Sequence, residues 1–554
     1  MGKFFSVFVM IIAAGLFASG CGNITDTKNG SDTTDSTGKT NTGTSAPPSF
    51  ETRSVSAPAG SEKYDLYLLK INKGSSIVGA SETGTITQYK SESDAAFSNV
   101  PQVSASQYSS YSLPQMRNAF NGGTQGTCYE PAHVQEFNSR PYDRNTVAHS
   151  SSRNRSVGPS LTSYTLNTTK QFWVQDAGGV FVQKWATLHA QGTYGNVWIA
   201  NGDTYVTKEN ADNISAKFDM IYGKETAVLG YEYGGGPGGT GGADGDPRVQ
   251  ILVYDIDYDS TGGGTVGYFW GKDEYPESTN FPPYDYKSNA CEIFYIDSVF
   301  TKYHPDVVYS TLAHEFQHMI HFNQKNVQSS TWYNEMLSLM TEDVISPFIG
   351  LDVSKSGHPV KTRIPFYLSN YNSLSLTTWE YGVADSYSSA FAFCAYLARN
   401  FGGANLLSLI EKNDLVDEGS ITKALKVCTQ NTSDIKTFDD AFKYWGEALI
   451  YTEPSADNGG KFSFNNTVKS TIAGIEYTYD SFDISQIDQY QETSKKGLTA
   501  SKIGKNEIPS FSFDVQISDT KLRNLTGTTT VKLEKPANSN VELILYAVPV
   551  VPVE

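Results

Sequence analysis

Several things are scarce in this chain of 554 residues, and each shortage removes a class of function. It has five cysteines and no C-x-x-C pair, which excludes a metal site built on thiolates. After Cys21, the other four (Cys128, Cys291, Cys394 and Cys428) leave room for one or two disulfides. Basic residues are in deficit, with 42 Lys and Arg against 59 Asp and Glu for a net charge of −17, so no cationic surplus exists to neutralise nucleic-acid phosphates. The Gly-rich stretch Gly234 to Gly245 lacks the G-K-[ST] ending of a phosphate cradle. Long apolar runs are absent after the first twenty residues, so no later segment is expected to span a bilayer.

What the N-terminus does have is an export signal. Lys3 is followed by an apolar run from Phe4 to Phe17, then Ala18, Ser19 and Gly20 directly before Cys21. The small-small-Cys ending resembles a bacterial lipobox, relaxed because Ala18 stands where Leu is usual, and it implies acylation of Cys21. An M-G-x-x-x-S match at Gly2 and Ser6 reads formally as myristoylation, but the apolar run behind it favours export. The expected location is the bacterial cell envelope, held by a lipid at Cys21. Residues 21–50, mostly Asn, Thr, Ser, Gly, Asp and Lys, cannot bury enough apolar surface to offset chain entropy and read as a tether.

The length calls for several domains. Residues 51–160 alternate in short runs such as Tyr64 to Ile71 and read as a small β-rich region; 453–554 read as a second β-rich domain, ending in Val541 to Val550. Between them, 161–452 read as one α+β domain. It has strands at Lys170 to Gln175, Val180 to Leu188, Asn196 to Ala200, Val249 to Ile256 and Glu292 to Asp297, and a helix at Lys208 to Tyr222 with Ile214, Phe218 and Ile221 on one face. Helices are then expected near Asp306 to Phe322, Trp332 to Ile345, Asp385 to Arg399, Ala404 to Lys412, Ser420 to Cys428 and Asp439 to Tyr451. The run Ala243-Asp244-Gly245-Asp246 reads as a tight turn, with a calcium loop as the alternative.

One motif carries chemistry. Residues 311–322, TLAHEFQHMIHF, contain H-E-x-x-H as His314, Glu315 and His318. On a helix, positions i and i+4 lie one turn apart on one face, the separation two imidazoles need to reach a single zinc ion. Val308, Leu312, Phe316, Met319 and Ile320 form the opposite, apolar stripe, so one face packs and the other is free to line a cleft. A catalytic zinc takes three protein ligands. The positions three and six beyond His318 are His321 and Gln324, which rules out a third histidine in the metzincin manner. A Glu from the next helix remains. Glu335, in W-Y-N-E-M-L-S, lies seventeen residues on, room for a turn and an antiparallel return, and is the expected third ligand. Its plainer reading is a first-turn carboxylate favoured by the helix dipole. Glu342, seven residues later on the same face, is the rival ligand or a carboxylate that holds a ligand imidazole; Asp343 is a candidate for the second role. His321 reads as a half-exposed structural histidine.

These motifs, with YSSAFAFCAYL from Tyr387, RVQILVYDI from Arg248 and VGYFWGKDEYP from Val266, resemble the hyicolysin family of zinc peptidases over about 170–450. The N-E-x-x-S portion also resembles thermolysin-like enzymes, but Leu339 stands where those carry Asp, so that contact is not carried over. The resemblance implies a two-lobed zincin-like α+β fold, one catalytic Zn2+ on His314, His318 and Glu335, Glu315 as general base, and protein or peptide substrates. Tyr387, aligned by Y-x-x-A-F, is the candidate oxyanion donor, against a plain packing role. A lipid-anchored binding or adhesion protein that keeps the fold as scaffold is the alternative; such a protein has no use for Glu315.

Overall fold

Runs of β-branched and aromatic residues at both ends and the middle of the chain become strands, and the amphipathic stretches between them become helices. The computed structural model describes residues 49–100, 130–141 and 163–550, apart from breaks at 259, 261–263, 381–383, 430–433, 490–491, 499–506 and 518–521. Cys21, the export signal and the tether lie outside the described residues.

The described residues open with β1 (Phe50–Ser56), β2 (Tyr64–Asn72), β3 (Thr85–Ser91) and β4 (Ser98–Asn99), and the next described element is a short helix, α1 (Ala132–Asn138). Next come β5 (Thr169–Gln175), β6 (Phe181–Gln191), β7 (Gly195–Ala200), helix α2 (Lys208–Leu229), β8 (Val249–Tyr254), β9 (Gly267–Phe269) and β10 (Ile293–Asp297). Helices α3 (Ser298–Tyr303), α4 (Pro305–Gln324), α5 (Thr331–Ile345), α6 (Pro359–Asn370), α7 (Ala384–Asn400), α8 (Ala404–Lys412), α9 (Asp417–Cys428) and α10 (Phe438–Ile450) form the second lobe. Two hairpins, β11 (Val468–Ile472) with β12 (Ile475–Tyr479) and β13 (Asp488–Gln489) with β14 (Glu492–Lys496), precede β15 (Ser512–Ile517), β16 (Thr528–Glu534) and β17 (Val541–Pro549).

The central sheet has the order β5-β6-β7-β8-β10-β9. Its middle strands β7, β8 and β10 run parallel and are buried along their whole length, which is why they read as continuous apolar runs. Helix α2 makes the crossover from β7 to β8 and starts at a capping box between Thr207 and Asn210. It runs past Tyr222, where the sequence predicts its end, because Gly223 alone does not break it; Gly230, at φ 108°, does. Ile214, Phe218 and Ile221 are fully buried, and Phe316 of α4 packs between Phe218 and Tyr222 with ring centroids 5.2 Å from each. Strand β9 pairs antiparallel with β10 and forms the sheet edge nearest α4.

This is an α+β fold, and two sequence expectations change in it. The β-rich ends do not form two separate units: β16 pairs with β1 and β3, and β2 lies between β15 and β17. Alternation tells which face of a strand is buried but not which strand lies beside it. Tyr64, Leu66, Leu68, Leu69 and Ile71 are all buried in β2, and helix α10 approaches that strand so closely that a Cβ on Gly446 would meet Leu69 Cδ1 at 2.6 Å. Helix α6 is not among the helices the sequence predicts, and it carries two prolines, Pro359 and Pro365. Pro359 occupies the first turn, where no backbone N–H is needed, and Pro365 is accommodated inside.

Candidate metal centre

Helices α4 and α5 supply the site. Pro305 opens α4 in its first turn, and the helix is long enough to carry 314 and 318 on successive turns. The stripe Val308, Leu312, Phe316, Met319 and Ile320 is fully buried against α2 and the sheet. The opposite face is equally buried: His314, Glu315 and His318 are at most 1% exposed. The sequence predicts a cleft there; the structure puts α5, α7 and α1 over it.

The structure brings His314, His318 and Glu335 together, one donor atom from each lying within 4.8 Å of the others. Glu335 Oε2 is 3.2 Å from His314 Nε2 and 3.6 Å from His318 Nε2. Each imidazole is held from its other nitrogen. His314 Nδ1 lies 2.7 Å from Glu342 Oε1, whose second oxygen accepts from Ser310 Oγ at 2.6 Å. His318 Nδ1 lies 3.1 Å from Asn334 Oδ1, and Ser338 Oγ stands 3.1 Å from the same nitrogen. Each ring thus has a partner behind Nδ1 and turns Nε2 toward Glu335, the aim a metal ligand requires. Glu342 therefore sits behind a histidine, and Glu335 beside both.

The electrostatics favour a cation at this point. Burial alone would lower the His314 pKa, but its hydrogen bonds to Glu335 and Glu342 outweigh it and lift the ring to about 10. Burial opposes ionisation of Glu335 too, yet the histidine charges and hydrogen bonds hold it at about 2. Two nitrogens and one carboxylate oxygen, dry, oriented from behind and in a negative potential, match the donor set of a catalytic zinc. Glu315 lies next to them: one oxygen of Glu315, one of Glu130 and a nitrogen of His318 also fall within 4.8 Å of one another.

Tyr387, from the fully buried face of α7, reaches the same place. Its hydroxyl accepts from Gln135 Nε2 at 2.7 Å and from the Glu130 backbone N–H at 3.1 Å, while Gln135 Nε2 also donates to Glu335 Oε1. The guanidinium of Arg363 lies 5.2 Å over the Tyr387 ring, and its charge helps hold Glu342 ionised. Sequence reasoning missed Glu130, Gln135 and Arg363. Arg363 sits in the unexpected helix α6. The first two come from a stretch read as part of the small β-rich region but helical over Ala132–Asn138, whose only signal is the spacing of Val134 and Phe137, both buried.

Other expectations are corrected. Asp343 does not support a ligand histidine: it takes a bidentate pair from Arg399 at 2.6 and 3.0 Å and lies 3.5 Å from His358. A residue one position past Glu342 is turned by about 100° and faces α7 instead. His321 is buried, not half-exposed, and pairs with Glu411 at 3.0 Å. The calcium alternative has no support. Asp244 accepts from the Asp246 backbone in a tight turn, Asp246 is used by Arg248 and Asn196, and neither belongs to the groups able to hold an ion among the described residues. Cys291, Cys394 and Cys428 are free thiols.

A family model, Peptidase M30, matches residues 181–487, more than half of the chain. The neutral metalloprotease ShpI of Staphylococcus hyicus is 31% identical over 260 residues, which are 44% of this chain and 52% of that protein. The chain thus spans about half the length of the curated relative it matches. Among solved structures, yeast LTA4 hydrolase in complex with bestatin aligns over 51% of this chain and 42% of its own, at 12% identity and a TM-score of 0.25. On the extent of the family match, this chain belongs to the peptidase M30 family.

Proposed function

We propose that the chain is a zinc-dependent endopeptidase in which His314, His318 and Glu335 hold the metal and Glu315 is the general base. One observation carries the reading: three donor atoms converge within 4.8 Å, with the Glu315 carboxylate beside them and both imidazoles oriented from behind. When bound there, zinc lowers the pKa of water and polarises a scissile carbonyl. Glu315 takes the proton from the attacking water and hands it to the leaving amine. Tyr387 is placed to donate its hydroxyl to the oxyanion once Gln135 no longer holds it. The family match and the metalloprotease relative support protein or peptide substrates.

Export and attachment through an acylated Cys21 complete the reading and rest on the N-terminal sequence. No helix among the described residues is long and apolar enough to cross a membrane. The retained Glu315 favours an enzyme over an adhesion protein built on the same scaffold. The test is one zinc per chain together with hydrolysis of a short peptide or unfolded casein that chelation abolishes and zinc restores. Hydrolysis that survives chelation contradicts it; bound zinc without hydrolysis across several substrates favours the adhesion reading.

A further inference from the structure

A peptidase must admit a polypeptide to its metal, yet here the metal donors and Glu315 are at most 1% exposed and Tyr387 is fully buried. Besides α5 and α7, which cover the site as part of the fold, a separate piece of chain lies over it, residues 130–139, from well before the central sheet. Its contacts fall on the groups a substrate needs. The Glu130 carboxylate shares a 4.8 Å cluster with Glu315 and His318, where the attacked carbonyl and the water must lie. Gln135 engages both the ligand Glu335 and the Tyr387 hydroxyl. The same segment also covers the edge strand. Phe269 N of β9 donates to Glu130 Oε1 at 3.2 Å, Asn138 Nδ2 donates to Phe269 O at 2.6 Å, and Gly271 N donates to Asn138 Oδ1 at 2.8 Å. An exposed edge strand next to a catalytic site pairs with an extended peptide through these backbone groups; here the side chains of the segment satisfy them instead.

The segment is docked by an anchor of its own, away from the metal. Phe137 inserts among Phe281, Phe322 and Tyr275 at centroid distances of 5.6, 6.2 and 6.3 Å. Ser329 N donates to Ser139 O at 3.0 Å, and His133 lies 2.9 Å from Gln175. A helix of seven residues does not persist without such docking.

We propose that residues 130–139 are an inhibitory plug: Glu130 sets a third carboxylate, after Glu335 and Glu315, beside the metal position, Gln135 caps Glu335 and Tyr387, and Asn138 occupies the substrate-pairing edge of β9. This rests on the zinc-peptidase reading. Turnover requires the segment to leave, and the fraction of molecules in which it has left sets the apparent affinity for anything that must reach the metal.

The test uses the zinc-loaded full chain and two variants: Glu130→Ala with Gln135→Ala, which removes the blocking groups, and Phe137→Ala, which loosens the anchor without touching the site. Zinc content comes first; a wild-type chain that binds no zinc overturns both the peptidase reading and the plug. With zinc in place, calorimetry with a small hydroxamate reports access to the metal without turnover, and a quenched peptide reports kcat/KM. Both variants are expected to bind the hydroxamate at least about tenfold more tightly and to cleave at least about tenfold faster, as relief of a blocked state requires. A synthetic peptide of residues 130–141 should reverse the gain. Unchanged or weaker hydroxamate binding in both variants at full zinc content would overturn the plug while leaving the zinc site standing.

Discussion

Two regions meet at the same few atoms, and they were written into the chain in different ways. Helices α4 and α5 span 305–345 without interruption except a short turn, and everything they contribute follows from helical spacing: one face for 314 and 318, a turn, then Glu335 just past the first turn of the return. Segment 130–139 reaches the same site from 205 residues before Glu335, measured from Glu130, through side chains that no local pattern singles out. Local geometry fixes who can bind a metal; tertiary contacts decide who can reach it.

The sharpest way to separate the two regions is Glu315→Gln. It removes the base on α4 without removing a metal donor, so turnover should fall by about 10²–10⁴-fold with zinc content unchanged. Relieving the plug should not rescue it. Retention of a tenth of the activity would break the assignment of the base, whatever the plug does.

Next in size is the partner of the site that faces away from it. Glu342 and Asp343 are neighbours on α5, but Asp343 forms a buried pair with Arg399 of α7. Asp343→Ala leaves that guanidinium buried and uncompensated, and stability should drop by about 3–5 kcal/mol, read from denaturant unfolding of the zinc-loaded chain. A loss below about 1 kcal/mol would mean the pair adds nothing to lobe packing.

Beside it, His358 caps α6 by accepting from Val360 N–H at 3.1 Å. Burial, which outweighs the nearby Asp343, pushes its pKa down to about 4. The unfolded chain therefore takes the proton first, near 6.5. Its contribution is complete above that pH and is lost as pH falls towards 4, on the order of 3 kcal/mol in all. His358→Asn keeps a capping acceptor without a titrating ring, so the acid limb of stability should flatten between pH 6.5 and 4. An unchanged acid limb would assign the loss to other groups.

The smallest effect concerns the N-terminus. Cys21→Ser should move the protein from the membrane fraction to the soluble one with peptidase activity intact, because a long polar stretch of sequence separates that residue from the catalytic residues. Membrane association that survives the change would mean the relaxed lipobox has another role.

Much of this was legible because it is periodic. The apolar stripe of α2, the buried strands β7, β8 and β10, and the boundaries of α8 all follow from local pattern, as do the candidates for the metal. Three things were not. The pairing of β2 with β15 and β17 depends on strands more than 400 residues away, which alternation cannot name. Helix α6 hides behind two prolines, Pro359 in the first turn, where helix geometry tolerates it, and Pro365 in the interior, where proline argues against a helix. Glu130 and Gln135 have ordinary neighbours in sequence and acquire meaning only where Phe137 finds its aromatic pocket.

The central claim is the ligand set, and metal analysis of two variants tests it most directly. Glu335 and Glu342 lie on one face of α5, roughly 10 Å apart along its axis, and only one can bind the ion that both histidines bind. After dialysis against dilute buffered zinc, Glu335→Ala should be largely metal-free. Glu342→Ala should still hold zinc, its affinity weakened by about 10–100-fold as the loss of a carboxylate behind a ligand histidine implies. A metal-free Glu342→Ala beside a zinc-loaded Glu335→Ala would contradict the account and move the third ligand to Glu342.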